Sequence, residues 1–300
     1  MTLDASTAFA APDSVTPPNA PRGMVSYAGV VKRWECDLNG HMNVQFFLRA
    51  FHQASAVCAA VLGPVPAATA PLRLYRFCRE IFCPEAYCLE SFRLQGGRFD
   101  GWVFHRMQSS DRDTTYATAV EAPTAICAAL PLLEAAGIED LLPRSLTPSP
   151  LDAPFLERDR AQALGLGLTQ PAQLDHTGTV PVHEIAAKMA TASHVLFERM
   201  GLTQKRIKAD RINRFMLEAK FDPRQAVASG IHLRALSYLD HQPDRKTFRT
   251  LHQILDAKDG SLVASFESLM GIIDLETRRM IALPQDMADY ARAMQDRPIL

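Results

Sequence analysis

Trp34-Glu35-Cys36-Asp37-Leu38-Asn39-Gly40-His41-Met42-Asn43 stands directly before a long amphipathic run, and its reading decides the fold. Asp, Asn and Gly favour a tight turn, and Asn43 is a good helix N-cap. From there Val44, Phe47, Leu48, Phe51, Ala54, Cys58, Val61 and Leu62 recur at helical spacing, with Gln45, Arg49, His52 and Gln53 between them. Gly63-Pro64 ends the run. About twenty helical residues make a rod of roughly 30 Å. The stretch therefore reads as strand, polar turn, and helix N-terminus with an acidic residue beside it. Backbone N–H groups at such a terminus favour negative charge, so the unit suits attack on, or hydration of, a carbonyl.

Working outward, landmarks recur in order, as in a duplicated chain. Val61-Leu62-Gly63 has a counterpart in Arg199-Met200-Gly201, Phe82-Cys83-Pro84 in Phe221-Asp222-Pro223, and Val103-Phe104-His105 in Thr250-Leu251-His252. Polar turns at Asp111-Arg112-Asp113 and at 256–260 precede small-residue strands, Tyr116-Ala117-Thr118-Ala119 and Val263-Ala264-Ser265-Phe266. Both halves close on Ala-Leu-Pro, at 129–131 and 282–284. Alternation predicts strands over 88–94, 102–107, 231–236 and 247–255, with a hairpin at Asp259-Gly260. The second long helix is expected over about 187–200, after a strand over 179–185. Short helices are expected at about 132–142 and 153–163.

Three hundred residues fit two domains, and 47% apolar with 22% charged residues is the composition of a globular protein. The division expected is a disordered tail 1–22, a first domain 23–141 carrying the motif, a linker 142–176 rich in Pro, Leu, Asp and Gly, and a second domain 177–300. A net charge of −1 without a basic stripe argues against a nucleic-acid partner. Asp4 and the lack of an apolar core argue against an export signal, and no run is long enough to span a bilayer. Cys36, Cys58, Cys78, Cys83, Cys88 and Cys127 all lie in the first half. The five-residue spacing of Cys78, Cys83 and Cys88, in apparent strand, matches no common zinc pattern, so free thiols in a reducing cytoplasm are expected.

The motif Asp37, Gly40-His41-Met42-Asn43 resembles that of the hotdog-fold acyl-CoA thioesterases of the 4-hydroxybenzoyl-CoA thioesterase type. The match is specific over about thirty residues around the motif and looser over the rest of the first half. The resemblance implies an α+β chain of two tandem hotdog domains, each a long central helix wrapped by an antiparallel β-sheet. It implies hydrolysis of an acyl-CoA thioester to acid and CoA, with an acyl-carrier-protein thioester as the second choice of substrate, and no cofactor or metal is expected. The family's second Asn is replaced by Val44, and Phe46 or Phe47 stands where a Tyr is usual, so a hydroxyl is missing. Ala186-Ala187-Lys188-Met189 after the presumed second strand carries no motif. A second alignment pairs Asp175 and Gly178 with Asp37 and Gly40, but Thr179-Val180-Pro181 then replaces His-Met-Asn. The second half is therefore expected to supply pocket wall and no chemistry. The chain would be its own pseudo-dimer, with a further homodimer plausible.

Asp37 is the expected nucleophile or general base. Gly40 allows close approach, and the N–H groups of Gly40, His41 and Met42 are expected to form the oxyanion hole. His41 orients the turn or polarises the carbonyl; Asn43 caps the helix or holds water. Cys36 is expected on the opposite strand face. His105 and His252 are expected to be structural. Arg73, Arg76, Arg79, Arg211 and Arg214 are expected at the surface near the mouth, within reach of CoA phosphates. The competing readings are a hotdog enoyl-CoA hydratase or dehydratase and a non-catalytic acyl-CoA-binding protein.

Overall fold

The structure, a computed structural model, describes residues 22–37, 40–63, 70–123, 128–151 and 161–295. The expected tail 1–21, Leu38, Asn39, Pro64, Cys127 and most of the helix expected at 153–163 lie outside these.

The first half runs β1 (Met24–Val30), α1 (Val44–Leu62), β2 (Arg73–Phe77), β3 (Ala86–Gln95), β4 (Val103–Ser109), β5 (Thr115–Glu121) and β6 (Leu132–Glu134). The second runs β7 (Gln162–Leu168), α2 (Val182–Arg199), α3 (Gln204–Asp210), β8 (Ile212–Pro223), β9 (His232–His241), β10 (Thr247–Asp256), β11 (Leu262–Asp274), β12 (Met280–Ile281) and α4 (Gln285–Gln295). The strands form one sheet in the order β1-β3-β4-β5-β2-β8-β11-β10-β9-β7. The order reads the same from either edge, element for counterpart. Each half is the long helix against an antiparallel sheet expected for a tandem hotdog chain.

The halves are joined by hydrogen bonds and by packing. β2 and β8 pair antiparallel, with Arg73 opposite Phe221 and Arg76 opposite Glu218. α1 packs on α2, and one apolar cluster contains Phe47, Leu48 and Phe51 together with Ile185, Met189 and Phe266. Fully burying each such side chain stabilises by about 1.5–3 kcal/mol. Asn43 caps α1, its Oδ1 accepting from Gln45 N–H at 3.1 Å. Asn43→Ala is expected to cost about 1 kcal/mol, read as a lower urea midpoint with an unchanged slope. Val61, assigned to the apolar stripe by periodicity, is instead 64% exposed near the end of α1.

Several expectations are corrected. Residues 179–185 are not a strand: α2 starts at Val182, five residues before the expected position. Part of the expected linker is β7, which pairs with β9 as β1 pairs with β3. The helix expected at 132–142 is β6 followed by a 3₁₀ turn, Glu139–Leu141. The chain after it crosses the central strands. Glu218 accepts from the N–H groups of Arg144 and Ser145, each at 2.9 Å, and Asp222 from that of Leu151 at 2.7 Å. These bonds explain why β8 buries carboxylates. The echo between 82–84 and 221–223 is out of register, since Phe82 bridges to His41 while Phe221 lies within β8. Of the three evenly spaced cysteines only Cys88 is in a strand.

Candidate active site at the Asp37 turn

The Asp37 turn is closed by its own backbone. Asp37 N–H donates to His41 O at 2.7 Å and Gly40 N–H to Asp37 O at 3.1 Å. Gly40 has φ +83°, with nothing near the place a Cβ would occupy. Gly40→Ala therefore carries only the cost of left-handed backbone, about 1–2 kcal/mol, measurable as a fall in urea midpoint.

The turn opens on a cavity of about 560 Å³ between the two halves. Asp37, His41, Met42, Asn43 and Gln45 line it from the first half, and Ala190, Ser193, His194 and Arg214 face them from the second. Asp37 is exposed, and its Oδ1 accepts from His41 N–H at 3.1 Å. His41 Nδ1 lies 3.2 Å from Glu80, whose other oxygen meets Arg278 at 2.5 Å. The carboxylate keeps the proton on Nδ1 and leaves Nε2 as the acceptor. Phe82 packs edge-on against the ring, with centroids 4.8 Å apart.

Two site expectations change. Gly40 N–H and His41 N–H both donate to Asp37, and Met42 N–H donates to Ile81 O at 2.9 Å. The three expected oxyanion donors are thus all engaged, two in closing the turn and one on the neighbouring Ile81 carbonyl. Cys36 shares the cavity with Asp37 rather than facing away, because residue 36 sits in an isolated bridge to Met42 and not in a long strand. Its thiol is pushed up, by burial first and then by Cys83, which disfavours the thiolate a nucleophile needs.

The arginines divide. Arg79 and Arg214 line the cavity as expected near its mouth, together with Arg278, which the sequence reading missed. Arg76 pairs with Glu218 at 3.4 Å and Arg211 with Glu276 at 2.7 Å. Arg73 is not at the surface: it is buried against Glu121 at 2.6 Å. His105 and His252 occupy equivalent strands and make the same bond, Nδ1 to Ser91 at 2.7 Å and to Ser237 at 2.8 Å. Burial pushes His252 down to about 4. Unfolding restores an ordinary value near 6.5, so below that pH only the unfolded chain takes the proton. The stability from a neutral His252 is complete above about pH 6.5, falls between 6.5 and 4, and amounts to about 3 kcal/mol. His252→Gln is expected to flatten the fall of the melting temperature over that range.

Asp175 repeats the Asp37 turn, as the second alignment anticipates. Asp175 N–H donates to Thr179 O at 2.9 Å and Gly178 N–H to Asp175 O at 3.0 Å, and Gly178 has φ +77°. The turn precedes α2 as its counterpart precedes α1. Among the described residues no cluster of His, Cys, Asp and Glu could hold a metal ion, and no helix is long and apolar enough to cross a membrane.

Comparison with known proteins follows the same lines. Residues 169–290 match the model of the thioesterase-like superfamily. The match spans less than half of the chain and falls on the half that lacks the Gly-His-Met-Asn motif. Among solved structures, a protein from Lactobacillus plantarum assigned as an oleoyl thioesterase is 12% identical with a TM-score of 0.59, covering 85% of this chain and 97% of its own. A 12:0-ACP thioesterase from Umbellularia californica is also 12% identical, with a TM-score of 0.53 and coverage of 81% and 92%. At such identity these two likenesses establish the fold alone, over both halves: the chain is a double hotdog. No curated protein sequence matches it.

Proposed function

We propose that the protein hydrolyses an acyl-CoA thioester in the Asp37 cavity. The carrying observation is the placement of the Asp37 carboxylate at a cavity walled by both halves, beside a histidine that Glu80 orients. Asp37 either attacks the carbonyl carbon, expelling the CoA thiolate and forming a mixed anhydride that water then hydrolyses to the acid, or takes a proton from a water whose oxygen attacks that carbon, breaks the C–S bond and gives the acid directly; in both routes the thiolate takes up a proton and leaves as CoA. With the turn's N–H groups engaged, the side-chain amides of Asn43 and Gln45, both lining the cavity, are the donors assigned to the carbonyl oxygen. Arg79, Arg214 and Arg278 are assigned to the CoA phosphates. Cys36, Cys78, Cys83 and Cys88 are free thiols, in keeping with a cytoplasmic location.

The engaged N–H groups favour one second reading, acyl-CoA binding without turnover. A panel of short, branched, aromatic and long acyl-CoAs separates the two. CoA release is followed by chromatography, because the chain's own six cysteines react with thiol reagents. Release from at least one member supports hydrolysis. Saturable binding with no release on any member supports the second reading and sinks the first.

A further inference from the structure

The Asp175 turn borders a separate cavity of about 150 Å³, and none of its lining residues is shared with the Asp37 cavity. The duplication explains its position. Asp175 takes the place of Asp37, and the facing helix is α1, whose His52 and Ser55 stand where Ala190 and Ser193 of α2 face Asp37.

Its floor has changed the most. Arg73 on β2 and Glu121 on β5 are opposite each other and joined at 2.6 Å. Ser55 donates to the same Glu121 oxygen at 2.6 Å, and His105 Nε2 lies 3.8 Å from it. The register of β8 and β11 puts Ala219 opposite Ser268 at the corresponding place, so the Asp37 cavity has no such cation.

Two buried polar atoms among residues lining the cavity make no hydrogen bond of normal distance and angle: Nη1 of Arg73, a residue only 2% exposed whose guanidinium has the Tyr75 hydroxyl as its other polar neighbour, and Nδ1 of His52. His52 Nε2 is 3.7 Å from Asp175. Burial, followed by the positive field of Arg73, pushes His52 down to about 4, so the ring is neutral at pH 7 and one nitrogen accepts. A buried donor without an acceptor is destabilising, the more so when charged. The cavity thus presents one unmet donor and one unmet acceptor.

Charge selects the ligand. Burial raises the Glu121 carboxyl, but Arg73 and then His105 outweigh it and hold it below the ordinary range. Glu121 is therefore ionised and neutralises Arg73. A carboxylate or phosphate would add an uncompensated negative charge next to Glu121 and Asp175, at several kcal/mol. A neutral carbonyl oxygen satisfies Nη1 without that penalty. Ala56, Ala59, Val180, Ile185, Phe221 and Val263 make an apolar part of the remaining wall, and His176, Thr177, Thr179 and Gln225 complete it with polar groups.

We propose that the Asp175 cavity is a second ligand site, in which Arg73 Nη1 donates to the uncharged carbonyl oxygen of a short acyl thioester, ester or amide and His52 Nδ1 accepts from a water or N–H beside it. The argument is independent of hydrolysis at Asp37.

The probe is a short acyl-pantetheine analogue with a methylene in place of the thioester sulfur, which is neutral and cannot be hydrolysed. Calorimetric titration counts its sites per chain. Ala56→Phe fills the slot from α1 and leaves the Arg73–Glu121 pair alone. Arg73→Lys keeps a cation on Glu121 and removes Nη1. The expected result is one site fewer in each variant than in the unmodified chain, with the matching free carboxylate unable to displace the probe from that site. Equal site numbers in all three proteins, or no binding to any, overturn the proposal. CoA release measured on the same preparations reports the Asp37 reading separately: release without the extra site removes only the present inference, and the extra site without release removes only the hydrolysis reading.

Discussion

Asp37→Asn lowers the steady-state rate of CoA release by a factor of about a hundred or more, with little change in KM or in the melting temperature. Asn offers a carbonyl oxygen where the carboxylate accepts the His41 N–H, so the turn keeps its closure. At this exposed position the stability change is expected to stay within about 0.5 kcal/mol. What disappears is the charge that makes the group a nucleophile or a base. Single-turnover CoA release on the best member of the panel is the measurement. A rate matching the unmodified protein sinks the assignment to Asp37 and moves the chemistry to the His41–Glu80 pair.

Arg73→Met destabilises the fold by about 3–5 kcal/mol, because it leaves Glu121 ionised and buried without its cation. The pH dependence carries the sign. In the unmodified protein the folded carboxyl is held below its ordinary value. Its stabilisation is present above the unfolded value, near 4.3, and is lost as pH falls through the folded value. In the variant burial acts unopposed by Arg73 and raises the folded carboxyl, so folding takes up a proton and acid favours the native state. The gap between the two proteins is widest at neutral pH and narrows toward pH 4. Urea midpoints at pH 7 and pH 5 read it; a gap independent of pH would falsify the account. Arg73→Met with Glu121→Leu, which removes both charges, is expected to recover most of the loss.

The parts legible in the sequence are those whose signal is local. Asn43, the spacing from Val44 to Leu62 and the stop at Gly63 are contiguous, and they give α1 nearly residue for residue. The start of α2 is obscured because Thr179, Val180, Val182 and Ile185 are β-branched residues, favoured in strands, around Pro181, while no side chain caps the helix. The Asp-x-x-Gly spacing at Asp175 was the better signal, since it fixes the turn geometry and hence the frame of α2. Arg73 read as surface because its partner is 48 residues away. Only the β2–β5 register brings the two together, and no periodicity along the chain encodes it. His52 is likewise a polar residue of an amphipathic helix until α2 and the Asp175 turn arrive beside it.

The crossing of the halves has a consequence for inheritance. Each cavity takes its acidic turn from one half and its facing helix from the other. In two identical subunits a single codon would alter both cavities at once. In the fused chain a change in α1 edits the surroundings of Asp175 and leaves the wall opposite Asp37 alone, while a change in α2 does the reverse. Exchange of residues 169–290 with those of another double hotdog would therefore keep the Asp37 turn and give it a new wall, so that, on the proposed function, a change of acyl preference is expected from the half of the chain that does not contain Asp37.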